Sequence, residues 1–240
     1  MSTYLVICQD LARECGVAGG ASASPNPTAV TGQVGELKRV VNYVEQAWTE
    51  IQNRHPNWRW MRRAFTVTTS SGDDSYAFGD VTDVDASAVI DRFAHWRVTA
   101  PDDPPKSYLS SAGVATEQWL NWASWDWFKR IYRIGTQNNS EPAHIAIDPQ
   151  NNLVLGPKPN GAYVITGDFQ RGAQILAANG DTPDMPARYH DLIMYTAMKK
   201  YALFHGAPEL LEAAKEGIRV YTPQLEKDQL PEIFLGQPMA

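Results

Sequence analysis

The sequence predicts an α+β protein, in which three to four helices from both chain ends form one core and an antiparallel β-rich module is inserted between them. Apolar residues recur at steps of three and four over residues 3–15, 34–54 and 186–205, as helices require. Over residues 58–182 the steps shorten to two, which is typical of strands. We predict a helical part over 1–57, an inserted β module over 58–182, completing helices over 183–229 and an extended tail over 230–240.

Two helices are expected in the N-terminal part. On the first, over residues 3–15, Cys8 and Cys15 share one face about two turns apart, which is too far for a disulfide within one helix. We expect two buried free thiols. The second, over residues 34–54, carries one unbroken apolar stripe and should end before Pro56, because the residue preceding a proline avoids the helical conformation.

The β module should contain several short strands and one helix. Ser124 is expected to cap a short helix that runs to Tyr132. A turn at residues 149–152 joins two apolar stretches and predicts a hairpin. The strands are expected at residues 64–69, 93–98, 118–122, 144–148, 153–155 and 162–169.

The C-terminal helices differ in polarity. The helix over residues 186–205 has little polar surface, so we expect it to be buried on most sides. Gly206 should end it and Pro208 should start the next helix. Pro223 should kink or break that last helix, because proline lacks the amide that a helix interior needs.

The composition excludes some functions. The formal net charge is −6 and the 21 lysines and arginines are scattered, so a sequence-specific DNA-binding face is not expected. An acidic wall would instead repel DNA phosphates and keep passing DNA mobile. Two free thiols fit assembly in a reducing cytoplasm. Residues 1–4 lack the basic and apolar regions of a signal peptide, and no apolar run approaches the length of a membrane span.

No motif for catalysis or cofactor binding is present. None of the five histidines has metal-ligand spacing, and phosphate-binding loops and nucleophile elbows are missing. The carboxylate pairs Asp73–Asp74 and Asp102–Asp103 lie in turns, where we expect them to face water. We therefore expect no enzyme activity, no catalytic residue, no cofactor and no metal.

A tryptophan cluster allows two interpretations. Trp119, Trp122, Trp125 and Trp127 fall within nine positions. They could form a stacking platform for sugar rings, which would make the protein a carbohydrate-binding tail or fibre component. They could instead pack between the β module and the helices, or at a subunit interface. The irregular spacing favours packing.

The segment from residue 58 to residue 63 is a candidate interface. If it is extended, Trp58 and Trp60 lie on one side. Arg62 and Arg63 could grip nucleic acid, or they could stack on rings and pair with carboxylates of a neighbour. The acidity of the chain favours the second interpretation.

Several blocks of the sequence form an ordered set, at residues 4–9, 35–41, 47–52, 58–63, 153–157, 184–190, 200–201 and 207–209. Together and in this order they resemble the head-to-tail adaptor (connector) proteins of tailed phages, especially short-tailed ones. Trp60 and Pro223 depart from the family pattern, Trp60 because a smaller aromatic is more usual there.

The resemblance implies a structural virion protein that is assembled in the host cytoplasm. It implies a helical core with a β insertion, and a ring, commonly twelve-fold, below the portal protein. A tail tube, nozzle or fibre protein would dock on the far side. In such a ring, an apolar tail segment could anchor in the portal, and acidic turns could line the DNA channel. The anchor candidates are Ile233, Phe234 and Leu235, and the channel candidates are Asp73, Asp74, Asp80, Asp83 and Asp85.

Overall fold

The computed structural model describes residues 2–18, 26–99 and 103–230 and confirms an α+β fold. The chain divides into two compact units, one of Met1–Trp60 with Ala173–Ala240 and one of Met61–Gly172. We call them the helical unit and the β unit.

The described residues form five α-helices and eleven strands. The helices are α1 (Tyr4–Glu14), α2 (Gly35–Arg54), α3 (Trp125–Tyr132), α4 (His190–His205) and α5 (Pro208–Gln229). The strands are β1 (Arg62–Thr68), β2 (Ser75–Tyr76), β3 (Thr82–Asp83), β4 (Ala88–Val89), β5 (His95–Trp96), β6 (Lys106–Leu109), β7 (Gln118–Trp119), β8 (Asn121–Trp122), β9 (His144–Ile147), β10 (Leu153–Gly156) and β11 (Tyr163–Gln170).

Helix α4 is the centre of the helical unit and packs against α1, α2 and α5. Its buried residues lie on most sides of the helix, as its apolar composition predicts. They are His190, Leu192, Ile193, Thr196, Ala197, Met198, Tyr201 and Ala202. Gly206 ends the helix in the left-handed conformation, with φ of +63°.

The stripes of α1 and α2 form the other side of this core. On α2, Val40, Val44, Ala47 and Trp48 are fully buried. Cys8 of α1 is buried and Cys15 is half-buried, and both are free thiols. Burial raises the pKa of both thiols to about 12, so they stay protonated at neutral pH.

Helix α5 is continuous from Pro208 to Gln229, so the expected break at Pro223 is wrong. The proline lies on the exposed side of the helix, where a missing amide hydrogen bond leaves a carbonyl that water can satisfy. Burial of Leu225 and Gln229 on the other side keeps the last two turns in place.

Two sheets share one apolar core in the β unit. The larger sheet has the strand order β4–β3–β1–β11–β6–β7, with β5 also paired to β11, and the smaller has the order β2–β10–β9–β8. The pairs are antiparallel except β8 with β9, which is parallel. Phe65 and Phe169 of the larger sheet and Ile145 and Leu155 of the smaller belong to one buried cluster.

Strands β9 and β10 of the smaller sheet are covered on both faces. Leu153 and Leu155 face the shared core, whereas Val154 and Ala146 pack with Phe128 of α3. Helix α3 therefore covers the second face of β9 and β10. Ser124 caps this helix by accepting a hydrogen bond from the amide of Trp127, as the sequence predicts.

The other short strands were only partly predictable. The strand expected over 93–98 is limited to His95–Trp96. The strand expected over 118–122 is two strands in different sheets, because the chain passes from one sheet to the other at the buried Leu120. The hairpin of β9 and β10 forms as predicted, and Leu153 pairs with Ile147.

The close packing of α3 on β10 makes Gly156 sensitive to substitution. A Cβ at this position would lie 2.5 Å from the Tyr132 ring and 2.8 Å from the Phe128 ring. Phe128 is fully buried and has no room to move. We expect Gly156→Ala to lower the free energy of unfolding by about 2 kcal/mol, measured by urea titration. Gly161→Ala is the matched control, because a Cβ there meets nothing within 4 Å, and a loss of equal size in both variants would contradict the packing.

Replacing the proline inside α5 should stabilise the helical unit. An interior proline makes a helix roughly 3 kcal/mol less stable than alanine does. Replacing the proline also makes the unfolded chain more flexible, which offsets up to about 1 kcal/mol of this gain. We expect Pro223→Ala to raise the free energy of unfolding by about 2 kcal/mol in a urea titration followed by circular dichroism. Gln224→Ala, also exposed on α5, should change it by less than about 0.5 kcal/mol. A destabilised Pro223→Ala variant would show that the proline shapes the helix for its contacts.

Candidate functional site

The predicted interface segment begins inside the helical unit. Trp58 is 1% exposed, and its Nε1 donates to the carbonyls of Ile51 and Gln52, both at 3.1 Å. Trp60 stacks on it with ring centroids 4.3 Å apart. Trp58 therefore holds the end of α2 in place. Since Trp58 has almost no surface left to bury, the expectation that it contributes to an interface is wrong.

The two arginines of the segment pair with carboxylates of their own β unit. Arg62 donates from Nη2 to Asp103 at 2.7 Å and from Nε to Asp168. Arg63 donates from Nη1 to Asp85 at 3.1 Å. Both side chains remain about one-third exposed, so a neighbour could still reach them.

The acidic candidates divide by exposure. Asp73, Asp80 and Asp85 are exposed, although Asp85 pairs with Arg63. Asp74 is 8% exposed and pairs with Arg133 at 3.2 Å, so the expectation that this turn carboxylate faces water is wrong.

Asp83 is also enclosed by the chain. It is 4% exposed, and its Oδ1 accepts hydrogen bonds from the amides of Asp85 and Ala86 at 2.9 Å and 3.1 Å. Asp83 therefore organises the turn that follows β3. Neither it nor Asp74 offers charge to a channel.

The anchor candidates Ile233, Phe234 and Leu235 lie outside the described residues. The described chain ends with Leu230, whose amide donates to the carbonyl of Glu226 at 2.9 Å.

The tryptophan cluster reaches the surface of the β unit. Trp119 and Trp122 are 54% and 49% exposed, and Trp125 and Trp127 are half-buried. Trp119 and Trp122 therefore do not pack in a core of this chain. Both indoles are accessible to a second subunit or to a sugar ring.

A groove lies beside Trp122 and Trp127. It has a volume of about 280 Å³ and is lined by Asn121, Trp122, Ala123, Ser124, Trp127 and His144. Sequence reasoning missed its polar members, because His144 reaches Asn121 only through the pairing of β8 with β9.

A second surface missed from the sequence lies on the helical unit. Leu203 and Phe204 in the last turn of α4 are 61% and 57% exposed, whereas the composition of that helix had predicted burial on most sides. The guanidinium of Arg39 lies 3.8 Å from the centre of the Phe204 ring. We call Leu203 and Phe204 the α4 patch. Clustered exposed apolar side chains of this kind are common in protein–protein contacts.

One recess of the β unit contains two carboxylates, but it does not pair an acid with a separate base. Asp103 and Asp168 line a cavity of about 320 Å³, but Arg62 bridges both carboxylates. Within residues 2–18, 26–99 and 103–230, no three or more histidines, cysteines or carboxylates cluster as a metal site would need. Across the same residues, none of the helices has the length and apolar character of a bilayer span.

The sequence matches the model of a known protein family. The model of the SU10 adaptor protein family matches residues 2–227, which is nearly the whole chain. No curated protein matches the sequence. The family match confirms the resemblance to phage head-to-tail adaptors that the ordered blocks of the sequence indicated. The chain therefore belongs to the SU10 adaptor protein family and is a structural adaptor protein of a phage.

Proposed function

We propose that this adaptor forms a ring, twelve-fold as the resemblance implies, that joins the portal protein to the tail and surrounds the path of the DNA. The observation that carries the proposal is the family match over residues 2–227. The proposed role of the adaptor is structural and needs no cofactor or catalytic group. It works at the head–tail junction of the virion after assembly in the host cytoplasm.

The α4 patch supports ring formation. In a closed ring each subunit presents two different surfaces that fit each other head to tail. Leu203 and Phe204 are large and more than half exposed, so a neighbouring copy could bury them. Arg39 beside the Phe204 ring adds a charged rim, which would give the contact orientation as well as affinity.

The distribution of charge supports contact with moving DNA. The chain has a net charge of −6, and Asp73 and Asp80 are exposed carboxylates for which no ion pair is present among the described residues. Exposed carboxylates repel phosphates and would keep the DNA from adhering to a channel wall. We infer that these two side chains face the channel. Asp85 is a weaker candidate, because Arg63 neutralises its charge.

The C-terminal segment is the proposed anchor to the portal. Residues 231–240 contain Ile233, Phe234 and Leu235 between two prolines. A short apolar segment of this kind gains free energy by entering a pocket on a partner and is costly to leave exposed alone. The tail tube, nozzle or fibre protein would dock on the opposite side of the ring.

Replacing the aromatic side chain of Phe204 should weaken assembly of the adaptor into rings. We expect Phe204→Ser to weaken association between copies on purified portal by at least about 30-fold, the size of a hot-spot loss near 2 kcal/mol. Rings would be counted by negative-stain microscopy and mass photometry. Ile175→Ser, at a residue of the same unit that is 73% exposed, is the control and should assemble normally. Equal ring yields for all three proteins, with unchanged thermal melting, would rule out the α4 patch as the contact.

Truncation should separate portal binding from folding. A chain that ends at Leu230 keeps the final hydrogen bond of α5 and should melt like the full chain, yet fail to bind portal in a pull-down. A chain that ends at Leu235 keeps the three apolar residues and should still bind. Normal portal binding by the shorter chain would refute the anchor.

A further inference from the structure

The groove beside Trp122, which we call the indole groove, is built by local structure within the β unit. Asn121 and Trp122 form β8 at the edge of the smaller sheet, and Asn121 pairs with His144 of β9. Ser124 caps α3 and so fixes Trp127 in the first turn of that helix. The Trp127 and His144 rings lie 5.0 Å apart between centroids. Two indoles and three polar side chains therefore converge on one recess.

No residue that lines the groove carries a formal charge at neutral pH. The hydroxyl of Tyr132 lies 2.9 Å from Nδ1 of His144, and burial lowers the pKa of this imidazole, which keeps it neutral. When Tyr132 donates to Nδ1, the proton of the neutral ring lies on Nε2, which becomes a donor.

The other two polar groups complement this donor. Nδ2 of Asn121 points to the carbonyl of Ala143 at 3.4 Å, which leaves Oδ1 as an acceptor. The hydroxyl of Ser124 accepts from the amide of Trp127 at 3.4 Å and keeps its own proton to donate. An indole face with neutral donors and acceptors beside it suits a ligand that has one apolar face and several hydroxyls.

We propose that the indole groove binds a neutral sugar residue of a glycan. The C–H face of a pyranose ring would lie on Trp122, which is 49% exposed, and its hydroxyls would bond to Asn121, Ser124 and His144. The volume of about 280 Å³ is near the lower limit of small-molecule sites, which fits one or two sugar rings. The absence of charge in the lining disfavours phosphates and acidic sugars.

A peptide strand from a partner fits this edge less well. The amides of Asn121 and Ala123 donate inward to Ala143 and Ile145, so only Trp122 directs its amide and carbonyl to the open edge of β8. Addition of a strand needs a longer row of free backbone groups than one residue supplies. A bound sugar would contact only the side chains of the indole groove and needs no free backbone groups.

The test is titration of the purified full-length protein with neutral oligosaccharides. The probes are tetramers of β1,4-linked N-acetylglucosamine, β1,4-linked glucose and α1,4-linked glucose, together with mannose and galactose, followed by saturation-transfer NMR and calorimetry. We expect at least one probe to bind and Trp122→Ala to weaken it about tenfold or more, as expected for loss of one stacking face. Trp119→Ala is the matched control, since this indole is 54% exposed but does not line the groove.

Two outcomes would overturn the proposal. One is that no probe binds at concentrations up to about 10 mM, which corresponds to less than about 3 kcal/mol of binding free energy. The other is that Trp119→Ala and Trp122→Ala weaken binding equally. If no sugar binds and Trp122→Ala instead blocks ring assembly on portal, the groove is a protein contact. Because the titration uses the adaptor alone, its result does not depend on whether the ring forms.

Discussion

Burial of β9 and β10 on both faces is the constraint on which the β unit depends. Alternate residues of β10 enter two different cores, Leu153 and Leu155 the one between the sheets and Val154 the one beneath α3. A sheet covered on both faces tolerates no polar residue on either, which explains four successive buried positions from Leu153 to Gly156. Gly156 is required because the α3 aromatics approach the strand too closely for a side chain. The same packing brings α3, and with it Trp127, beside His144.

Local signals in the sequence predicted much of the secondary structure. Four correctly predicted features depend on residues within a few positions of one another. They are the apolar stripe of α2, the Ser124 cap of α3, the hairpin of β9 and β10, and the end of α4 at Gly206. Strands of two residues, such as β3 and β7, are too short to show a period and could not be predicted. Their positions depend on pairing with strands far away in the chain. The predicted break at Pro223 was wrong because packing of the rest of α5 outweighs the local penalty of a few kcal/mol.

Exposure was harder to predict than secondary structure. Trp119 and Trp122 are three residues apart, but the chain crosses between two sheets at Leu120, so no single period describes them. The partners of Arg62 lie 41 and 106 residues away, and no local pattern indicates them. The polar lining of the indole groove likewise needs the β8–β9 register, which brings together residues 23 positions apart. Composition identified the aromatic residues but not which of them face water.

Exposure also decides which aromatics can contribute to assembly. Association gains free energy only from apolar area that is still in contact with water, at about 25 cal/mol per Å². Trp58 is only 1% exposed, because its side chain is buried against the end of α2. The side chains of Phe204 and Trp122 are about half exposed. An adaptor must bind its partners without aggregating beforehand, so polar groups should lie beside its exposed apolar residues. Phe204 on the helical unit has Arg39 beside it, and Trp122 on the β unit has Asn121 and Ser124 beside it. Each of these mixed surfaces has one large ring that a correctly shaped ligand or neighbour can bury.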